Sequence, residues 1–127
     1  MIRIAIIDDQ QLFRQGFVIL LRQLNYTVSI EASNGKDFID QVNQQSAPEL
    51  ILLDTQLKDM DSYTLLQWIT KQHPTIPVIV LHGKNDFHFL LQLLRAGASS
   101  HLAKNASPGE VQRTIQDVVI NALRPGH

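Results

Sequence analysis

The sequence predicts a three-layer α/β fold in which five parallel strands alternate with five helices. Two short apolar runs, residues 2–7 and 49–54, have the length and composition of strands that are buried on both faces of a sheet. Between such runs, apolar residues recur at spacings of three and four, as they do on the buried face of an amphipathic helix. Alternation of the two patterns is typical of a doubly wound parallel sheet with helices on both faces.

The remaining elements follow in order along the chain. Further strands are predicted at residues 27–32, 77–82 and 99–103. Five helices are predicted between and after the strands. The first ends around residue 25, the second begins at residues 34–35, and the third ends at residues 73–74. The fourth covers about residues 86–96, and the fifth begins with the capping box at residues 107–110. Gly97 fits the C-cap of the fourth helix, which carries more apolar residues than one inward stripe needs.

We expect the strand order 2-1-3-4-5, because it places the most apolar strands, the first, third and fourth, in the middle of the sheet. In such a sheet, ligands bind outside the carboxyl ends of the strands, where the strand order reverses. Asp8 and Asp9 after the first strand and Asp54 after the third then share one crevice. His82 and Lys104, at the ends of the fourth and fifth strands, are expected on its far side.

The composition sets limits on function. The chain has 127 residues, and 11 Lys and Arg against 12 Asp and Glu give a net charge of −1, so no basic footprint for nucleic acid or an anionic membrane is present. The absence of cysteine excludes disulfides and thiol catalysis. No signal peptide precedes the first strand and no apolar run approaches the roughly 20 residues of a spanning helix, so a cytoplasmic protein is the default expectation.

The three carboxylates indicate a site for a divalent cation. Acids packed together repel one another, and Mg²⁺ prefers oxygen ligands from one or two carboxylates, water and a substrate phosphate. An aspartate can also act as a nucleophile toward phosphorus, with Lys104 neutralising charge on the phosphoryl group. Taken singly, each acid also fits a helix cap or a solvated turn, and Asp9 is placed to be an N-cap. The joint placement of the acids and Lys104 favours the functional interpretation.

These residues resemble the receiver domains of two-component response regulators. The resemblance covers essentially the whole chain and rests on the motifs Ile6-Ile7-Asp8-Asp9, Leu52-Leu53-Asp54, Met60-Asp61, Pro77-Val78-Ile79-Val80-Leu81, Ala96-Gly97-Ala98 and Lys104-Asn105-Ala106-Ser107-Pro108. It implies a flavodoxin-like (βα)5 fold, for which the order 2-1-3-4-5 is already known. The last two motifs are most similar to the branch that carries a LuxR-type helix-turn-helix output domain.

The resemblance implies a role for each residue of the crevice. Asp54 is the implied phosphoacceptor for a sensor histidine kinase, and Lys104 pairs with the phosphoryl group. Mg²⁺ is bound by Asp9, Asp54 and the backbone carbonyl of Gln56, with Asp8 acting through water. Such a domain is not a conventional enzyme, since it catalyses at most its own phosphorylation and dephosphorylation.

The resemblance also implies boundaries and partners. We expect residues 1–124 to form the receiver and residues 125–127 to be a tail, for which a tag remnant is one origin. The expected partners are the kinase, an output domain or downstream protein that serves transcription regulation, and a second copy of the chain. That copy would bind through the fourth helix, fifth strand and fifth helix, where Phe87, Leu91 and Leu94 are placed to face outward, with core packing as the alternative.

Two positions at the switch depart from the family pattern. His82 stands where family members usually have serine or threonine, and His101 stands where they usually have another aromatic residue. Imidazole can donate an N–H to an anion, so a switch that runs through both histidines is expected to be pH-sensitive near neutrality. A weakened switch and histidines that serve packing alone are the alternatives.

The loop after Asp54 departs from the pattern as well. Lys58 and Ser62 replace a usual proline and a late glycine, which predicts a more mobile loop. Lys58 and Asp59 are interpreted either as determinants of kinase choice and dephosphorylation rate or as solvated loop residues.

Two other function classes are disfavoured. A phosphatase of the haloacid-dehalogenase type needs a second aspartate two residues after the nucleophile, where this chain has Gln56. A flavin or nucleotide site needs a glycine- or hydroxyl-rich first loop, and Asp8 and Asp9 would repel phosphate there. The hypotheses that remain are a phosphoryl-accepting switch and a pseudo-receiver, which would be an unphosphorylated protein-interaction module of the same fold.

Overall fold

The computed structural model describes residues 1–123 and has the predicted architecture. The strands are β1 (Arg3–Ile7), β2 (Thr27–Ala32), β3 (Leu50–Asp54), β4 (Val78–His82) and β5 (Ser100–Ala103). The helices are α1 (Gln11–Gln23), α2 (Gly35–Gln44), α3 (Ser62–Gln72), α4 (Phe87–Arg95) and α5 (Pro108–Leu123). Residue 124 and the expected tail at residues 125–127 lie outside the described residues.

The sheet has the order β2-β1-β3-β4-β5 with every pair parallel, which confirms the predicted topology. The strand order reverses between β1 and β3. In their register Ile7 lies beside Leu53, so Asp8 and Asp54 emerge next to each other at the carboxyl edge of the sheet. This edge is where a ligand site is expected in an open parallel sheet.

Four strands begin one residue later than predicted, at Arg3, Leu50, Val78 and Ser100. The residues just before them still bond to a neighbouring strand. The Glu49 N–H donates to the Arg3 carbonyl at 2.8 Å, and the Pro77 carbonyl accepts from the Ile51 N–H at 3.0 Å. The strands start later because ladder pairing is incomplete at these residues, and Pro77 has no N–H to contribute.

The sheet separates two apolar cores, which gives the predicted three layers. One core is covered by α2, α3 and α4, and the other by α1 and α5. The residues of α2, α3 and α5 that are buried in these cores include Phe38, Val42, Leu65, Leu66, Ile69, Val111, Ile115 and Val118.

Two exposed apolar regions remain. Leu12 of α1 is 86% exposed, because the first turn of this helix lies at the carboxyl edge of the sheet, beyond the apolar strands. On α4, Phe87 is 68% exposed and Leu91 is also exposed, whereas Leu94 packs against the core. Part of the predicted row on α4 therefore faces outward.

Candidate functional site

Three carboxylates meet at the carboxyl edge of the sheet, after β1 and at the end of β3. One oxygen of each of Asp8, Asp9 and Asp54 lies within 4.8 Å of the corresponding oxygens of the other two. Asp8 is fully buried, Asp54 is 4% exposed and Asp9 is half-buried. We call these three residues the acid cluster. The structure therefore brings together the acids that the strand order predicted to share a crevice.

Asp9 does not cap α1. The N-cap position belongs to Gln10, whose side chain makes no capping hydrogen bond. Its backbone N–H instead donates to Asp8 Oδ1 at 2.8 Å. The capping interpretation of Asp9 is wrong because the helix begins one residue further along the chain, which leaves the Asp9 carboxylate within the cluster.

Lys104 brings its ammonium group into the acid cluster. Its Nζ lies 2.8 Å from Asp8 Oδ2 and 3.3 Å from Asp54 Oδ1. It also donates to Gln10 Oε1 at 2.9 Å and lies 4.7 Å from the centre of the Phe13 ring. The sequence placed Lys104 on the far side of the crevice, but its long side chain crosses the gap and pairs with two acids. No sequence signal had pointed to Gln10 or Phe13 as its partners.

Burial and neighbouring charge decide the protonation of this cluster. The pKa of Asp54 is raised to about 6. Burial is the largest cause of this rise, and the charge of Asp8 adds to it. Lys104 and the backbone of Gln56 lower the pKa and so offset part of the rise. Burial would lower the pKa of Lys104, but its bonds to Asp8 and Asp54 outweigh burial and hold it above its ordinary value. At neutral pH the site thus holds an ionised but poorly solvated Asp54 against a charged ammonium.

The loop between β3 and α3 is held by two side-chain anchors. Asp59 accepts hydrogen bonds from the backbone N–H groups of Gly35 and Lys36, each at 3.1 Å. These groups belong to the first turn of α2, where N–H groups have no partner within the helix. Ser62 Oγ donates to the backbone carbonyl of Asp54 at 2.5 Å. The loop is therefore tied to α2 in its middle and to β3 at its end.

Two expectations about this loop are corrected by these anchors. Ser62, in place of a glycine, bonds to the backbone of β3 and so restrains the loop rather than freeing it. Asp59 is exposed, but its carboxylate also bonds to the first turn of α2, so it is more than a solvated loop group. The roles of Lys58 and Asp59 in kinase choice and dephosphorylation rate stay predictions.

Gln56, together with Asp9 of the acid cluster, lines a cavity of about 480 Å³. Lys58, Tyr63 and Phe89 also line this cavity. A partner that approaches the acids from this side would contact both the loop and α4.

The two histidines of β4 and β5 contact each other directly. His82 Nε2 lies 3.1 Å from His101 Nδ1, and the ring centres are 5.2 Å apart. Burial lowers the pKa of His82 below its ordinary value of 6.5, and the charge of His101 lowers it further. We call these residues the histidine pair. A hydrogen bond between two imidazoles needs one N–H between the facing nitrogens, so double protonation would break it.

The fold and the site together define a signalling class. Residues 4–116 match the family model for the response regulator receiver domain, and the chain therefore belongs to that family. Receiver domains are signalling modules of two-component systems and not classical enzymes.

Several known proteins are similar to this chain. It is 32% identical over 116 residues to the transcriptional regulatory protein YxjL of Bacillus subtilis, an alignment that covers 91% of this chain and 53% of that protein. It is 22% identical over 116 residues to the chemotaxis protein CheY of Thermotoga maritima, covering 91% and 96% respectively. The chain spans about half the length of most of the curated transcriptional regulators it matches.

A solved structure bears out the fold. The crystal structure of the receiver domain of NtrX from Brucella abortus matches with a TM-score of 0.85 at 24% identity, over 92% of this chain and 98% of that one. Among residues 1–123, no helix combines the length and apolar character needed to cross a bilayer.

Proposed function

We propose that this chain is a phosphoryl-accepting switch in which Asp54 receives a phosphoryl group from a sensor histidine kinase. The observation that carries the proposal is the position of Asp54, which ends β3 beside Asp8 and lies 3.3 Å from the Lys104 ammonium. A carboxylate oxygen of Asp54 would attack phosphorus while the P–N bond of a phosphohistidine breaks and its electron pair returns to the imidazole. The pKa of about 6 leaves Asp54 mostly ionised at neutral pH, as a nucleophile must be.

Mg²⁺ is the cofactor that fits the site. Asp8, Asp9 and Asp54 offer three carboxylate oxygens close together, which is a donor set of the kind that this ion prefers. Asp9, Asp54 and the carbonyl of Gln56 would bind the ion directly, and Asp8 would act through water. Bound Mg²⁺ would neutralise negative charge on the phosphoryl oxygens.

Lys104 would supply the second positive charge at the site. Its Nζ already lies 3.3 Å from Asp54 Oδ1, within reach of a group attached to that carboxylate. When a phosphoryl group is present, the ammonium can exchange a carboxylate for a phosphoryl oxygen with a small movement of a flexible side chain. Positioning and charge neutralisation are most of what phosphoryl transfer requires.

The histidine pair would carry the switch. His82 ends β4 on the side of the crevice opposite β1, and one ring nitrogen could donate to a phosphoryl oxygen in place of the hydroxyl that relatives use. His101 on β5 would follow the change in His82, because the two rings share a hydrogen bond.

A pseudo-receiver is the second candidate, and the histidine pair is the observation that favours it. His82 Nε2 is already engaged by His101 at 3.1 Å. If this bond persists whatever happens at Asp54, the chain would present one fixed surface to its partners and would not act as a switch.

The proposed partners follow from the switch hypothesis. They are a sensor histidine kinase in the cytoplasm and an output domain or downstream protein that regulates transcription, with the receiver comprising residues 1–124. Phe87 and Leu91 on α4 are exposed, and Phe87 lines one cavity together with Ala103 of β5, so a homodimer through α4, β5 and α5 is proposed as the output contact. This domain itself would bind neither nucleic acid nor membrane.

The test is an amide NMR titration with Mg²⁺ followed by beryllofluoride, which stands in for a phosphoryl group on aspartate. We expect Mg²⁺ to shift residues around Asp9 and Asp54, and beryllofluoride to shift residues from His82 through α4 to His101. The matched control is Asp54→Asn, which keeps the shape of the side chain and should abolish the second set of shifts. Mg²⁺ binding without any response to beryllofluoride would establish the pseudo-receiver instead.

A further inference from the structure

The carboxylate of Asp86 holds the loop between β4 and α4 against β3. Its Oδ2 accepts a hydrogen bond from Thr55 Oγ1 at 2.7 Å and a second one from the backbone N–H of Gly83 at 2.8 Å. One carboxylate oxygen therefore joins the two ends of the loop and attaches them to the residue that follows Asp54. We call these two bonds the Asp86 bridge.

Asp86 makes the bridge instead of capping its own helix. It occupies the N-cap position of α4, where an aspartate side chain usually accepts from the N–H groups of the first turn, but it makes no such bond here. Loss of a cap costs about 1 kcal/mol of helix stability, which the bonds to Thr55 and Gly83 must offset. Both bonds lower the pKa of Asp86, which keeps the carboxylate charged.

The elements that meet at the bridge are those a phosphoryl switch would move. Thr55 is 3% exposed, directly follows Asp54, and donates its N–H to the Leu81 carbonyl of β4 at 3.1 Å. The bridged loop begins after His82 and leads into α4, which carries the exposed Phe87. A displacement of the His82 end of β4 or of the start of α4 would therefore stretch the bond between Thr55 and Asp86.

Gly83 allows the carboxylate to approach the loop backbone closely. A Cβ added at this residue would lie 3.3 Å from Asp86 Oδ2, which is closer than an ordinary contact. A side chain here would require the carboxylate to shift by a few tenths of an ångström, so glycine suits the close approach that the bridge makes.

We propose that Asp86 is a positioning residue which, through Thr55, holds the β4–α4 loop in its unphosphorylated position and so opposes the movement that phosphorylation drives. This inference rests on the proposed function. A contact made in only one of two conformations favours that conformation by its free energy, so its removal shifts the population toward the other. Loss of the bridge is therefore expected to favour the phosphorylated conformation even though neither residue touches the phosphoryl group.

The experiment compares Thr55→Val and Asp86→Ala with the unmodified chain. Valine keeps the shape of threonine and removes only the hydroxyl, which guards against an effect of misfolding. In the presence of saturating Mg²⁺, we expect each variant to bind beryllofluoride about three- to tenfold more tightly. The double variant should gain no more than the stronger single variant, because both changes remove the same bond.

Amide hydrogen exchange without beryllofluoride gives an independent measurement. The Gly83 N–H donates to Asp86, so Asp86→Ala should speed its exchange about tenfold or more, and Thr55→Val should speed it less because the Gly83 bond remains. Thr70→Val is the matched control, since Thr70 Oγ1 bonds to the Gln67 carbonyl within α3, away from the bridge. It should change neither measurement.

The outcomes separate this inference from the proposed function. If the unmodified chain gives no response to beryllofluoride, the proposed function fails. The role of the bridge in opposing the phosphorylated conformation then fails with it. The exchange rate of the Gly83 amide still shows whether Asp86 positions the loop. If the unmodified chain responds but the variants bind beryllofluoride equally well or more weakly, the function stands and this inference is wrong.

Discussion

The two halves of the carboxyl edge, the acid cluster and the histidine pair, hold their titratable groups in different ways. The acid cluster lies at the ends of two central strands, has two of its three acids buried, and has the Lys104 ammonium as a counter-charge at 2.8 Å from Asp8. The histidine pair lies on β4 and the edge strand β5, is partly exposed, and is joined by one ring-to-ring bond of 3.1 Å. Burial acts on both halves, and it penalises the charged form in each.

The same physical cause therefore gives opposite dependences on pH. The pKa of Asp54 is raised from 3.8 to about 6, so the folded state binds this proton more tightly than the unfolded chain does. The contribution of Asp54 to the free energy of unfolding is largest below about pH 4 and is lost as the pH rises to about 6. The pKa of His82 is lowered from 6.5, so its contribution is present above that value and is lost as the pH falls through and below it.

Replacement of Asp54 by asparagine should have the largest effect on this comparison. Asp54→Asn removes the poorly solvated charge but keeps the side-chain shape, and Asp8 remains to pair with Lys104. In the presence of a metal chelator at neutral pH, we expect the free energy of unfolding to rise by about 1–3 kcal/mol, as measured by urea denaturation. The decline in stability between about pH 4 and about pH 6 should also become shallower.

Asp40→Asn is the control for this experiment, because Asp40 is an exposed aspartate in the middle of α2. It should leave both the stability and its pH profile nearly unchanged. A less stable Asp54→Asn protein at neutral pH would mean that the pairing of Asp54 with Lys104 outweighs burial, and the acid cluster would then not be electrostatically unfavourable.

The fold was predictable from the sequence because its signals are local and repeated. Short apolar runs, such as residues 50–53, distinguish buried strands from the helices between them, and Gly97, which follows the C-cap residue Ala96 of α4, has a φ of +119°. The acid cluster was predictable for the same reason, since strand order alone places Asp8 beside Asp54. The strand starts were one residue early, because the run of apolar residues does not show where ladder pairing begins.

The contacts among loops were not predictable, because they depend on which side chain reaches which backbone group. Asp59 lies 24 residues beyond Gly35 in the chain, and nothing in either segment indicates that a loop carboxylate caps the distant helix. The same holds for the bond between Thr55 and Asp86, which joins residues 31 positions apart. The sequence showed that His82 and His101 are unusual, but only the structure shows that they bond to each other.

The Asp59 anchor gives a second, smaller effect, and it tests how firmly the loop beside the acid cluster is held. Asp59→Ala removes two hydrogen bonds to the first turn of α2 and a favourable charge at the start of that helix. We expect a loss of about 1 kcal/mol in the free energy of unfolding by urea denaturation. The amide of Gly35 should also exchange faster with solvent. Lys58→Ala, the neighbouring exposed residue, is the matched control, and an equal loss in both variants would refute a specific anchor.

The smallest expected effect is on the histidine pair, where His101→Phe separates the two causes of the lowered His82 pKa. Phenylalanine keeps an aromatic ring over His82, so burial persists, but the charge of His101 and the ring-to-ring bond are lost. We therefore expect the pKa of His82 to rise toward 6.5 without reaching it, as followed by NMR titration of the imidazole resonances. His88→Phe, on the exposed side of α4 beside Phe89, should leave the titration of His82 unchanged. If His101→Phe leaves the pKa of His82 where it is, burial alone sets it, and the two histidines do not titrate as a pair.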